Sequence, residues 1–271
     1  MLALNESIPG FNFDNCKRNI HLLNNNAIKS KFIKTGTTIA GAIFKDGVIL
    51  ASDTRATEGD IIAEKECQKL HYLAPNIYAA GCGVAADLHH LTLMISARLE
   101  LLRMNMDDRQ IRVVTVNRIF KQLLFRHGGH LGVGFIIGGV DLTGSHLYSV
   151  APHGSTDKLP FMASGSGTFA ALSVLEDRWR PDMNLEDGKK LLCDAITSGI
   201  LNDLFSGTQV DLCIITKDKS ELLRPYKVIS EKGKREGNYT FKKGTTAILN
   251  QVVHKFKLDI VDEDEIRMDT H

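Results

Sequence analysis

The stretch 37-TTIAGAIFKDGVILASDT-54 decides the fold, because it reads as two apolar strands joined by a Lys45-Asp46-Gly47 turn. Asp-Gly between apolar runs is a strong hairpin signal, since glycine supplies the positive φ that tight turns between strands require. A second pair follows in 68-QKLHYLA-74 and 77-IYAAG-81, where Pro75-Asn76 makes the turn. Strands joined by so few residues must be antiparallel, which excludes a doubly wound parallel sheet.

Outward from these hairpins the period becomes helical. Val84, Leu88, Leu91, Ile95, Leu99 and Leu102 recur at steps of three and four, and so do Val113, Val116, Phe120, Leu123 and Leu124 before Gly128-Gly129. Strands return in 131-LGVGFIIGGV-140 and 145-SHLYSVAP-152, joined through 141-DLTG-144, with a further strand ending near Ala163. Two helices are then expected at about 168–179 and 186–204, separated at Arg180-Pro181, before a last hairpin of 209-QVDLCIIT-216 and 221-ELLRPYKVI-229. The order of strands, two helices, strands, two helices, strands predicts an α+β protein. Two stacked antiparallel sheets with a helical layer outside each would cover every apolar face.

The 271 residues carry 33 Lys and Arg against 32 Asp and Glu, a net charge of +1. No global field steers such a chain to nucleic acid or to an anionic membrane. No apolar run approaches the roughly 20 residues that cross a bilayer, and the N-terminus has no uninterrupted apolar stretch like that of a secretory signal. Five scattered cysteines, Cys16, Cys67, Cys82, Cys193 and Cys213, never fall as C-x-x-C. They predict reduced thiols in an intracellular protein and no metal site. Residues 1–36 are rich in Asn and Lys without a sustained period and read as a leader. Residues 37–230 form the expected compact domain. Residues 231–271 form an arm that runs from basic (Lys232, Lys234, Arg235, Lys242, Lys243) to the acidic 262-DEDE-265. The arm is either a solvated tail or, through a strand-like segment at 245–249, a strap across a neighbouring subunit.

Two glycine patterns sit between a strand and a helix, Gly81-x-Gly83-x-x-Ala86 and Gly165-x-Gly167-x-x-Ala170. Each is compatible with a dinucleotide-binding fingerprint, but the crossover to a parallel strand is missing. Tight strand-to-helix packing is the plain alternative. A third is that amides at a helix start hold a developing oxyanion. Gly36-Thr37 is the other informative place. If that bond is cut, Thr37 offers a hydroxyl together with a free α-amine, a group that titrates near 7.7–8.0 and can act as the base. Gly-Thr-Thr also begins ordinary strands, and recurs here at 244–246. Asp53 and Arg55 at the end of the second strand and Lys69 in the third are costly among apolar neighbours unless paired, and an Asp53–Lys69 pair is the economical solution.

Taken together, 36-GTTIAGAIFKDGVILASDTRATEG-59, Lys69, Gly81-x-Gly83, 165-GSG-167 and 202-NDLFSG-207 resemble the catalytic beta subunits of the eukaryotic 20S proteasome. Through 53-DTRATEG-59, 152-PHGSTDKLP-160 and 180-RPDM-183 the chain is most similar to the beta type with trypsin-like specificity. The resemblance implies the N-terminal-nucleophile hydrolase fold, which agrees with the element order. It implies that Thr37 is the nucleophile, that Asp53 and Lys69 tune it, and that the Gly83 amide forms the oxyanion hole. By the same resemblance Ser166, Asp203 and Ser206 hold the amine and complete a proton network. Thr57 and Gly83 would align a peptide as an added strand, and Ala56, Cys67, His71, Gly81 and Ala85 would line the specificity pocket.

In this class an acid on the following helix receives a basic substrate residue. Here Asp87 is followed by His89 where an acid is often found, so either Asp87 alone or an acid from a neighbouring subunit would serve. The implied activity is a threonine endopeptidase that processes itself at Gly36-Thr37 and cleaves after basic residues. It would need no cofactor, and it would work in stacked rings with other alpha and beta subunits on unfolded polypeptides in the cytoplasm and nucleus. A non-catalytic ring subunit would lack the lysine or the nucleophile, and a nucleotide-dependent oxidoreductase would need parallel topology.

Overall fold

The computed structural model describes residues 36–107 and 109–231, with isolated positions at 17, 18, 21, 233, 236, 237, 240, 242, 244 and 252–255. The chain divides into two units, 1–231 and 232–271. The strand-like segment anticipated at 245–249, and nearly all of the leader, lie outside the described residues.

Among the described residues from 36 to 231, twelve strands and four helices follow the anticipated order. One sheet has the order β10-β1-β2-β11-β12, where β1 is Thr38–Phe44, β2 Gly47–Asp53, β10 Phe161–Gly165, β11 Gln209–Thr216 and β12 Ser220–Val228. The other has the order β5-β6-β7-β8-β9, where β5 is Leu70–Ala74, β6 Ile77–Gly83, β7 Val133–Asp141, β8 Gly144–Val150 and β9 Thr156–Lys158. Every pairing is antiparallel. A small separate hairpin, β3 (Ala56–Glu58) with β4 (Ile61–Glu64), is an element the sequence reading lacks. All four β4 side chains are exposed, so no alternation marks it.

Strand periodicity sorts the side chains into layers. Ile39, Val48, Leu50, Leu70, Ile136, Leu147 and Ile215 fill the space between the sheets. Gly41 and Gly138 let the sheets close here, since a Cβ on either would come within 2.9 Å of a neighbouring side chain. On the outer face of the first sheet, Ala40, Ile49, Ala51 and Leu212 pack under α3 (Thr168–Arg178) and α4 (Leu185–Asn202). On the outer face of the second, Ala79, Phe135 and Ile137 pack under α1 (Ala85–Asn105) and α2 (Val113–Arg126) through Leu91, Ile95, Leu99, Val116 and Phe120. Helix, sheet, sheet and helix therefore stack as four layers.

Helix ends are local decisions. Asn184 caps α4 by accepting the Asp187 N–H at 2.8 Å. Past the end of α2, Gly128 and Gly129 take positive φ, as the stop signal required. Two expectations need adjusting. Val84 is the residue preceding α1 and lies outside it, and Lys69 lies just before β5 and not within it. The strand begins only where Leu70 turns into the core.

Candidate active site

Thr37 and the two polar ends of the first sheet meet at one edge of the sandwich. Thr37 precedes β1 and is buried. Asp53 closes β2, the neighbour of β1, and register brings the two strand ends together, with Ile39 opposite Ser52. Gly165 ends β10 on the other side of β1, opposite Thr38. A Cβ on Gly165 would fall 2.0 Å from the Thr37 carbonyl oxygen, and one on Gly167 2.0 Å from the Thr38 hydroxyl. The second glycine pattern is therefore close backbone packing against the Thr37 segment, and the dinucleotide reading is set aside. The Gly81-x-Gly83 pattern has the same explanation. Gly83 takes φ +123° and a Cβ there would meet the Gly132 carbonyl oxygen at 2.0 Å.

Lys69 is almost wholly buried and spends its three N–H donors on three oxygens. Nζ lies 2.7 Å from Asp53 Oδ1, 3.0 Å from Thr37 Oγ1 and 3.2 Å from the Gly36 carbonyl oxygen. Asp53 is fully buried and saturated in turn. Oδ1 also accepts the Thr38 N–H at 2.9 Å, while Oδ2 accepts Gly207 N–H at 3.0 Å and Arg55 N–H at 3.3 Å. A buried charge pair is tolerated only when its remaining hydrogen-bonding positions are met in this way. The segment that carries Lys69 is itself tied down. Arg224 of β12 pairs with buried Asp211 at 3.1 Å, and donates to Gln68 Oε1 at 3.2 Å and to the Glu66 carbonyl. Burial, reinforced by nearby Asp53, pushes the Asp211 carboxyl up to about 6.

On the other side of Thr37, its N–H donates to Ser166 Oγ at 3.0 Å. Ser166 and Ser206 both donate to Asp203 Oδ2, at 2.6 and 2.7 Å. With its proton committed to Asp203, Ser206 accepts from the Thr38 hydroxyl at 2.7 Å. Thr38 was not singled out from sequence, and it braces this network against β1. The Thr37 hydroxyl donates to the Gly36 carbonyl oxygen at 2.7 Å, and Thr57 Oγ1 accepts the Gly36 N–H at 3.2 Å. Thus Thr37, Asp53, Lys69, Ser166, Asp203, Ser206 and Thr57 form one connected hydrogen-bonded site around the Gly36-Thr37 bond.

Two cavities flank Thr37. One, of about 540 Å³, is shared by Thr37, Gly83, Ser164, Ser166 and His153. The other, of about 190 Å³, is lined by Ala56, Cys67, His71, Gly81, Ala85 and His89, together with Thr37 and Lys69. Asp87, half-buried in the first turn of α1, is not among its lining residues, whereas His89 is. Burial, reinforced by nearby His89, pushes the His71 imidazole down to about 4, so this ring is uncharged at neutral pH. Because a histidine titrates near 6.5 when unfolded, the native state favours neutral His71. The stability this supplies is complete above about pH 6.5 and is lost as pH falls toward 4, on the order of 3 kcal/mol in all. Substituting His71→Gln should therefore remove part of the drop in unfolding temperature between pH 7 and pH 4.5. Thermal melts of both chains at the two pH values check this, an unchanged drop counting against a buried neutral imidazole.

Among the described residues, no cluster of His, Cys, Asp and Glu could hold a metal ion. Cys67, Cys82, Cys193 and Cys213 are free thiols.

Comparison with known proteins agrees with the geometry. The proteasome subunit family model matches residues 33–215, and a model of the C-terminal region of proteasome beta subunits matches 230–264. The chain is 47% identical over 261 residues to mouse proteasome subunit beta type-10, covering 95% of each chain. It is 49% identical over 249 residues to Arabidopsis thaliana proteasome subunit beta type-7-B, covering 90% of this chain and 89% of that one. It is 44% identical over 269 residues to a fission yeast protein described as a probable proteasome subunit beta type-2, covering 99% and 100%. With its two antiparallel sheets between helix pairs and its threonine at the sheet edge, the chain belongs to the proteasome subunit family, as a catalytic-type beta subunit with the N-terminal-nucleophile hydrolase fold.

Proposed function

We propose that this subunit is a threonine endopeptidase that exposes its own nucleophile by cutting the Gly36-Thr37 bond. One observation carries the reading: the Lys69 ammonium lies within hydrogen-bonding distance of both the Thr37 hydroxyl and the Gly36 carbonyl oxygen. A single positive charge so placed favours a more nucleophilic hydroxyl and offsets the negative charge that develops on the carbonyl under attack.

After cleavage the Thr37 nitrogen is an α-amine, already placed 3.0 Å from Ser166 Oγ. It takes the hydroxyl proton as Oγ attacks a substrate carbonyl, then delivers it to the leaving amine. Ser166, Asp203 and Ser206 keep that nitrogen oriented, and Gly83, sharing the larger cavity, supplies the oxyanion donor by family resemblance. A peptide would lie as an added strand with Thr57 accepting a main-chain N–H, as it does from Gly36.

The smaller cavity would take the side chain before the scissile bond, and a basic residue fits the trypsin-like resemblance. Its own lining supplies a neutral His71 imidazole and no carboxylate, so an acid from an adjoining subunit of the ring would supply the counter-charge. Family membership implies assembly with other proteasome subunits. Substrates would be unfolded polypeptides, the form that can extend along the site.

The test is chemical trapping in the assembled particle with a peptidyl vinyl sulfone, which alkylates a nucleophilic hydroxyl. The expected product is a single adduct on the peptide that begins with Thr37. An adduct on another residue, or none while the particle's other sites react, contradicts the proposal.

A further inference from the structure

Lys69 makes its contacts from a stretch without regular structure, residues 67–69, between β4 and β5. No strand ladder fixes a side chain there, so its place depends on individual hydrogen bonds. Backbone bonds reach the stretch from Thr54, whose carbonyl accepts the Cys67 N–H at 2.9 Å, and from Gly81, whose N–H donates to the Lys69 carbonyl at 3.0 Å. Arg224 adds a clamp on both flanks. Its Nη2 donates to the Glu66 carbonyl and its Nη1 to Gln68 Oε1 at 3.2 Å, while Gln68 Nε2 donates onward to the Leu70 carbonyl at 2.9 Å. One guanidinium thus governs the carbonyls of residues 66 and 70, with Lys69 between them.

An irregularity in the sheet aims Arg224 at this task. Leu212 pairs with Leu223 and Val210 with Lys227, so Arg224, Pro225 and Tyr226 stand opposite Asp211 alone. A bulge of this kind redirects a side chain, and proline suits it because it has no N–H to lose from the ladder. Asp211, only 1% exposed, then holds Arg224 Nε at 3.1 Å. Each nitrogen of the fork has its own acceptor, on Asp211, Gln68 or Glu66, an arrangement that a lysine ammonium does not reproduce.

We propose that Arg224, anchored by Asp211, is a positioning residue for the Lys69 ammonium, acting on both self-cleavage and peptide turnover through Lys69 alone. The inference rests on the threonine-peptidase reading above. Lys69 Nζ must stay 3.0 Å from the Thr37 hydroxyl and 3.2 Å from the Gly36 carbonyl oxygen, and a shift of about 1 Å from a distant change can cost about a hundredfold.

The experiment separates this role from mere stability in the assembled particle, with the other catalytic subunits inactivated. Cleavage after Gly36 is timed by intact mass, and peptide hydrolysis is followed against pH. Arg224→Met should slow both by about tenfold or more and lower the unfolding temperature, because Asp211 is left buried and unpaired. The Arg224→Met, Asp211→Asn pair removes both charges and should recover the unfolding temperature but neither rate. Arg224→Lys should also remain slow. The charges facing the Thr37 nitrogen are Lys69, Asp53 behind it and, through Ser166, Asp203. A displaced Lys69 ammonium disfavours the protonated amine less, so the acid limb of kcat/KM should move up by about half a pH unit or more in the charge-free pair, where position 211 no longer titrates. In a Lys69→Ala background, Arg224→Met should cost less than about twofold further. Rates that recover together with stability in the pair, parental rates in Arg224→Lys, an unmoved acid limb, or an undiminished Arg224→Met loss in the Lys69→Ala background each overturn the inference. A parent that is never cut after Gly36 overturns the threonine reading itself, a separate result read from the unsubstituted chain.

Discussion

Thr37→Ala is expected to leave the bond between residues 36 and 37 intact and to reduce this subunit's peptidase activity by about 10⁴-fold or more, the scale of losing a covalent nucleophile. Both effects come from one oxygen. Among the described residues, Thr37 Oγ1 is the only side-chain atom placed at once against the Gly36 carbonyl and the Lys69 ammonium. The two losses are separable. A Thr37→Ala chain supplied without residues 1–36 still has an α-amine held by Ser166, but nothing for that amine to activate. It should remain inactive. Thr37→Ser keeps the hydroxyl, and should retain both processing and turnover, more slowly because the methyl that helps fix the rotamer is gone. Activity in the alanine variant, assayed with the other catalytic subunits inactivated, would move the nucleophile elsewhere.

The second large effect is expected at Lys69. Lys69→Ala removes the charge beside both reacting oxygens, and should slow processing and peptide hydrolysis by about 10²–10³-fold each, the range seen when one electrostatic stabiliser of a transition state is lost. It also leaves Asp53 fully buried with one fewer partner, which costs about 3–5 kcal/mol of stability. Unfolding temperature and kcat/KM should therefore fall together. A Lys69→Ala, Asp53→Asn pair separates the two, since removing the stranded charge should recover stability without recovering activity. Lys69→Arg should not rescue turnover. The pocket fits a compact ammonium with oxygens at 2.7, 3.0 and 3.2 Å, and a planar guanidinium cannot meet all three.

Much of this was legible in the sequence because local signals agreed with the global fold. The Asp46-Gly47 turn, the apolar stripe of α1 from Leu88 to Leu99 and the Gly128-Gly129 stop each depend on residues close in the chain. So did the case for pairing Asp53 with Lys69, since a charge at the edge of an apolar sheet needs a partner. What escaped depends on pairings across the whole chain. That β11 lies between β2 and β12 is set by register between residues some 160 apart in sequence, for which no short-range pattern exists.

The same holds for the site. Arg224 steadies the Lys69 segment from β12 and Thr38 braces Ser206, both through contacts that no spacing announces. The glycine pairs left several readings open for a physical reason. Glycine marks close backbone approach whatever is approaching, here the carbonyl of Thr37 and not a pyrophosphate.

The central claim is that a threonine becomes its own acid-base partner when one peptide bond is cut. Intact mass and N-terminal sequence of this subunit, taken from the purified assembled particle, test it most directly. The expected chain begins at Thr37 and has lost residues 1–36. A working particle in which Thr37 is still preceded by Gly36, or in which the chain begins at any other residue, contradicts it.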